Sequence, residues 1–182
     1  MTVAAIGYLR IESSDSDAFM AFGTQVLGLM EAENEDDSGA RFLRMDEHPF
    51  RFMVERGAGD RLLAIGLESR SADQWQVSCD TLSAAGHQLK PGSDEEARRR
   101  CVTRFVSVTD PSGNTVELYY GRTLYYRPFN TPAGTPRFIT AHRGPGDLGI
   151  GHAVIAAPDL EQTTTFYTEL IGLGICDVLH LA

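Results

Sequence analysis

Few side chains in this sequence are suited to chemistry. Of its five histidines, His48, His87, His142 and His180 show no HxH or HExxH spacing and follow turn-like or irregular stretches, so each reads as a surface or capping residue. His152 stands apart. It lies in a Gly-His-Ala-Val run of strand character, where a neutral imidazole can ligate a divalent metal, and a satisfied structural histidine is the competing reading. Arg98-Arg99-Arg100 follows Glu95-Glu96 and reads as a solvated, salt-bridged face or a subunit contact. Gly144 to Gly151 is glycine-rich but precedes a strand pattern and holds no lysine, which argues against a phosphate loop. Cys79, Cys101 and Cys176 are far apart without a CxxC pair, so they read as small buried apolar residues, not as a disulfide framework or a thiolate zinc site.

The elements that must position His152 announce themselves by repetition. Gly7 matches Gly151, Ile11 matches Ile155, Asp15 matches Asp159, Phe22 matches Phe166, Thr24 matches Thr168, Gly28 matches Gly172 and Leu29 matches Leu173, always 144 residues apart and without a gap. Such a register marks a repeated domain. The informative mismatch is Tyr8 against His152, because tyrosine is an uncommon ligand for iron(II) or zinc. The second copy runs out at Ala182, which reads as a truncated second domain.

Between the copies the pattern is βαβββ, twice. A strand over 4–11 leads to a helix over 15–29 with Phe19, Phe22, Val26 and Leu29 on its apolar face and Gly28 at its end. An acidic loop over 31–37 and two short strands, 41–45 and 51–55, close a unit of about 1–58. The second unit, about 61–121, opens with a strand over 62–67. A helix over 72–85 follows, with a Ser71/Gln74 capping box, Trp75, Cys79 and Leu82 on one face and Gly86 as its stop. Strands over 105–109 and 115–120 flank the Asp110-Pro-Ser-Gly113 turn. Residues 1–121 then form one domain, the Pro/Gly/Thr-rich 122–146 a connector, and 147–182 the opening strand and helix of the next. That last helix directs Leu160, Phe166 and Leu170 toward a sheet mostly missing from the chain, so this segment is expected to be the less stable part.

The 182 residues carry 25 acidic against 16 basic side chains, a net charge of −9, which argues against nucleic acid or an anionic membrane as partner. No apolar run reaches a membrane span and the start lacks a basic signal region, so a cytoplasmic protein is expected.

Gly146-Asp-Leu-Gly-Ile-Gly-His-Ala-Val154, Phe166-Tyr-Thr-Glu-Leu-Ile-Gly-Leu173, Asp110-Pro-Ser-Gly-Asn-Thr-Val-Glu-Leu-Tyr-Tyr-Gly121 and Ala97-Arg-Arg-Arg-Cys-Val102 resemble the type I extradiol ring-cleavage dioxygenases of the vicinal oxygen chelate superfamily. The likeness is greatest to those acting on 2,3-dihydroxybiphenyl and 1,2-dihydroxynaphthalene. It runs through essentially the whole chain in order. It implies an α+β fold of paired βαβββ modules, with strands curling around a cavity and the second domain truncated. In that family only the second domain binds Fe(II), through a His on the first strand of one unit, a His on the first strand of the next and a Glu on the last strand. His152 matches the first ligand, and the other two lie outside this sequence. The first domain's counterparts are Tyr8, a residue near Ala64, and Glu117. They leave one carboxylate, which reads as a partly buried group with a local hydrogen-bond partner. The resemblance implies a homo-oligomeric enzyme opening catecholic rings with O2. The chain alone is expected to be inactive and to hold no iron stably. A metal-free small-molecule-binding or scaffolding module is the alternative.

Overall fold

A computed structural model describes residues 2–32, 38–125, 127–134 and 150–178. The chain forms β1 (Val3–Ser13), α1 (Ser16–Gln25), β2 (Met30–Ala32), β3 (Arg41–Arg44) and β4 (Phe52–Arg56). It continues with β5 (Arg61–Ser69), α2 (Ala72–Ala84), β6 (Lys90–Pro91), α3 (Asp94–Arg99), β7 (Arg104–Thr109) and β8 (Thr115–Tyr120), then α4 (Leu160–Thr165), which passes into a π-helical turn at Phe166–Leu170. The eight strands form one sheet in the order β2-β3-β4-β1-β5-β8-β7-β6. Its centre is the antiparallel pair β1 and β5, each flanked on its other side by a parallel strand, β4 and β8. This mixed α+β architecture is two βαβββ units joined edge to edge.

Local chemistry sets the helix ends. Asp15 caps α1 by accepting from the Ala18 amide, and Gly28, at φ 75°, takes the chain out of the helix in the left-handed region. Asp159 caps α4 in the same way, accepting from the Gln162 amide, and its repeat-matched stop Gly172 has φ 84°. Ser71 accepts from the Gln74 amide, but the reciprocal arm of the expected capping box is not formed. A complete box occurs instead at Ser93 and Glu96, where it starts α3, a helix absent from the sequence reading.

The sheet separates two cores by strand alternation. On one face Ile65, Leu67, Val106, Val108, Val116 and Leu118 meet Cys79 and Leu82 of α2, while Leu43 and Val54 meet Met20 of α1. The opposite face carries Tyr8, Phe42, Phe50, Met53, Phe105 and Tyr119, with Ala97 of α3 packed on them. A bulge at Gly7 makes this partition possible in β1. The β1–β5 register slips between Ile6 and Tyr8, so these two residues point to opposite faces despite their even spacing. The bulge is clamped by the fully buried Arg51, whose Nη1 donates to the carbonyls of Ile6 and Gly7 while its Nε and Nη2 donate to Asp46.

Three expectations need correction. The expected apolar face of α1 is split, since Leu29 is buried and Phe19 packs on the same core, whereas Phe22 and Val26 are exposed. Gly23 brings this helix so close to the sheet that a Cβ there would stand 2.5 Å from a Leu43 methyl, which fixes Met20 and Gly23 as the inward residues. The segment 151–157 forms no strand, because its backbone meets the sheet only through one bridge between Ile150 and Ile6. The C-terminal helix is not left uncovered either. Phe166 and Ile171 are buried with Cys79 and Leu82, and only Leu160 of the three expected apolar positions is exposed. Polar ties hold the same junction. Tyr167 donates to Asp110 at 3.0 Å, Asn114 donates to the Ala156 carbonyl at 3.2 Å, and the Ser112 and Thr163 hydroxyls share a 2.7 Å hydrogen bond.

The described part of the connector, 122–125 and 127–134, runs back along the first unit. The Tyr125 amide donates to Glu47 and the Arg127 carbonyl accepts from Arg44. The acidic residues 33–37, the rest of the connector, His142, most of the Gly144–Gly151 run and His180 lie outside the described residues.

Candidate functional site

The middle of the sheet brings Tyr8, Gly66 and Glu117 into one row across β1, β5 and β8. Ala64, the position named from the sequence, instead pairs with Arg10, so the register-matched residue between Tyr8 and Glu117 is Gly66. Glycine is needed there because a Cβ would lie 2.5 Å from the Tyr8 ring, which covers it. Tyr8 in turn stacks on Tyr119, centroids 5.2 Å apart, and tilts against Phe50 at 5.6 Å.

Glu117 is almost fully buried and all its acceptor capacity is in use. Its Oε2 accepts from the Tyr8 hydroxyl at 2.6 Å and from Arg100 Nε at 2.7 Å, and its Oε1 accepts from Arg10 Nη1 and Arg100 Nη2, both at 2.7 Å. Burial opposes ionisation of this carboxyl, but the Arg100 hydrogen bonds and charge, with Arg10 behind them, outweigh it and hold the group below its ordinary value. For Tyr8 only the Arg100 charge opposes the shift. Burial first, then the adjacent Glu117 charge, push its phenol well above the usual range, so it stays a neutral donor.

Arg100 is the residue the sequence reading placed wrongly. It is buried, not solvated. Besides its two bonds to Glu117 it donates to the Glu96 carbonyl, and its guanidinium lies 4.1 Å from the centroid of Phe105. The cause is the abrupt end of α3, where Cys101 adopts φ 55° and donates its amide to the Arg98 carbonyl, turning the last arginine inward. Ser93-x-x-Glu96 was the signal that could have found it, since a helix starting there places Ala97 and Arg100 on one side. Arg98 is exposed, and Arg99 approaches Glu55 at 3.9 Å. Arg10, with Nε and Nη2 each 2.8 Å from Glu55 Oε1, completes the charged network.

These residues do not fit a divalent metal. A cation at Glu117 would have to displace two guanidinium groups from a carboxylate they already neutralise, and the tyrosine ring fills the space a first-strand ligand would need.

At the matched position of the second copy the surroundings are open. His152 is exposed, and no group of three His, Cys, Asp or Glu able to hold a metal occurs among the described residues. The other histidines are placed as follows. His48 is buried beside the Arg122 guanidinium, which also pairs with Glu68, and His87 is half-buried with its ring edge-on to Phe166 at 5.0 Å. Cys79 is buried and burial pushes its thiol up to about 11, while Cys176, expected inside, is exposed.

Residues 6–57 match a family model described as Dihydroxybiphenyl dioxygenase BphC D1. The iron-dependent extradiol dioxygenase of Rhodococcus jostii (strain RHA1) is 36% identical over 181 residues, covering 100% of this chain and 58% of that protein. Biphenyl-2,3-diol 1,2-dioxygenase of Paraburkholderia xenovorans (strain LB400) is 34% identical over 182 residues, 100% of this chain and 59% of that one. Among solved structures, BphC, a halotolerant catechol dioxygenase, superposes with a TM-score of 0.83 at 29% identity, covering 94% of this chain and 55% of that chain. The chain thus spans about three-fifths of the length of the curated relatives it matches.

Proposed function

From the premise that this chain resembles extradiol dioxygenases along its whole length, we propose that it is the metal-free domain of such an enzyme together with the ligand-bearing start of the iron-binding domain. The observation that carries this reading is the matched pair at the 144-residue repeat. Tyr8 is locked onto a carboxylate sealed by arginines, whereas His152 presents an exposed imidazole in the same place of the second copy. The whole protein would open a catecholic ring of the 2,3-dihydroxybiphenyl type with O2 in an Fe(II)-dependent reaction. On this reading the second His and the Glu come from the part of the whole protein beyond the matched region, and the activity is assigned to the whole protein. A cytoplasmic homo-oligomer fits the acidic charge, and no helix among the described residues is long and apolar enough to cross a membrane.

The test is an iron assay on the purified 182-residue chain beside its intact mass, followed by a catechol ring-cleavage assay with added Fe(II). Less than stoichiometric iron and no turnover are expected. In the chain carried to the full length of its relatives, His152→Ala should lose both iron and turnover while Tyr8→Phe keeps both. Iron retained by His152→Ala would remove the assignment.

A further inference from the structure

The two repeat-related helices treat the same side chains in opposite ways. Phe22 on α1 is 49% exposed, and its counterpart Phe166 is 1% exposed. Leu27 is 46% exposed against 0% for Ile171, and Val26 is 69% exposed where Leu170 packs on the core. In the second copy these positions rest on α2 of the first domain, among Cys79 and Leu82. In the first copy they form a contiguous apolar patch on the side of α1 turned away from its sheet.

We propose that this patch of Phe22, Val26 and Leu27 is a docking surface for the counterpart of α2, the second-unit helix of a following βαβββ domain. The inference rests on the reading that the chain is the first part of a two-domain protein. Two copies of one domain that meet across a pseudo-twofold axis use each contact twice, with the roles exchanged. The second copy's first helix rests on the first domain's α2. Its exchanged twin is the first domain's α1 on the second domain's α2 counterpart. The relatives continue well beyond the matched region, since this chain covers 58% of the Rhodococcus protein, and on that reading the continuation supplies the helix. The observed contact also shows what the occupant must offer: a helix face of small and aliphatic residues, as Cys79 and Leu82 offer to Phe166.

Thiol accessibility tests this directly. Val26→Cys is placed in the 182-residue chain and in the chain carried to the full length of its relatives, with Val77→Cys on the exposed side of α2 as control, and alkylation is followed peptide by peptide to separate it from the native Cys176. Val26→Cys should react at an exposed-thiol rate in the short chain and at least tenfold more slowly in the long one, while Val77→Cys reacts alike in both. Equal rates at position 26 in the two chains would overturn the proposal. So would slow labelling of the short chain that speeds up on dilution, which would make a second copy the occupant. Because alkylation needs no metal, a long chain that protects position 26 but retains iron after His152→Ala would refute the functional reading and leave the docking surface standing.

Discussion

Tyr8 and His152 occupy one position of a repeated framework, yet one is sealed and the other open. Around Tyr8 the sheet has invested a bulge, a glycine beneath the ring, four further aromatic side chains and two arginines on a single carboxylate. Around His152 there is one backbone bridge and an exposed ring. The fold therefore does not itself create a metal centre. It supplies a row of facing positions at the middle of the sheet, and in the first copy the side chains there close it into a structural core.

That contrast is most severely tested at Arg100. Arg100→Ala should cost about 3 kcal/mol in urea denaturation, because Glu117 keeps its charge in a buried place with only Arg10 and Tyr8 left. A loss below about 1 kcal/mol would mean that the carboxylate is not sealed as described. The helices give the next largest difference. Phe166→Ala should cost about 3 kcal/mol and remove hydrogen-exchange protection over 160–171, while Phe22→Ala should stay within about 0.5 kcal/mol in the 182-residue chain. Comparable losses at both would erase the asymmetry between the copies.

Acid should act through Glu117. Its folded-state pKa lies below its unfolded value, so its contribution is complete above the ordinary carboxylate value of 4.5 and is lost as pH falls below it toward the folded value. Urea midpoints measured down through that window should fall less steeply for Glu117→Gln than for the parent chain. Tyr8 works at the other end. Its raised pKa means that stability is complete below 10.0 and declines as pH rises beyond it, a decline that Tyr8→Phe should reduce. At neutral pH the same substitution should cost about 1 kcal/mol for one lost hydrogen bond, since both arginines still hold the carboxylate.

Much of this framework was legible in the residues, because periodicity and capping are local. Asp15, Gly28, Ser71 and Gly86 mark helix ends from their own chemistry, and the ungapped 144-residue repeat exposed the copy that carries His152. What escaped depends on distant partners. The buried side of α1 is chosen by Leu43 closing on Gly23, which no helical period of α1 contains. Arg100 looked solvated within an Arg-Arg-Arg run because its partner Glu117 is 17 residues away, on β8. The residue facing Tyr8 was misplaced by two, from Gly66 to Ala64, because register is set by pairing across β1 and β5 and by the bulge between Ile6 and Tyr8.

That bulge has a further consequence for anyone moving pieces between the copies. Gly7 has its counterpart in Gly151, so a transplanted segment keeps the alignment in number. It does not carry its clamp. Arg51 and Asp46 lie far along the chain from the segment they hold, and a graft of the first copy's opening strand taken without them would bring the glycine but not the buried guanidinium that grips the two carbonyls. The transferable unit is therefore larger than the strand, and reaches at least from Gly7 to Arg51.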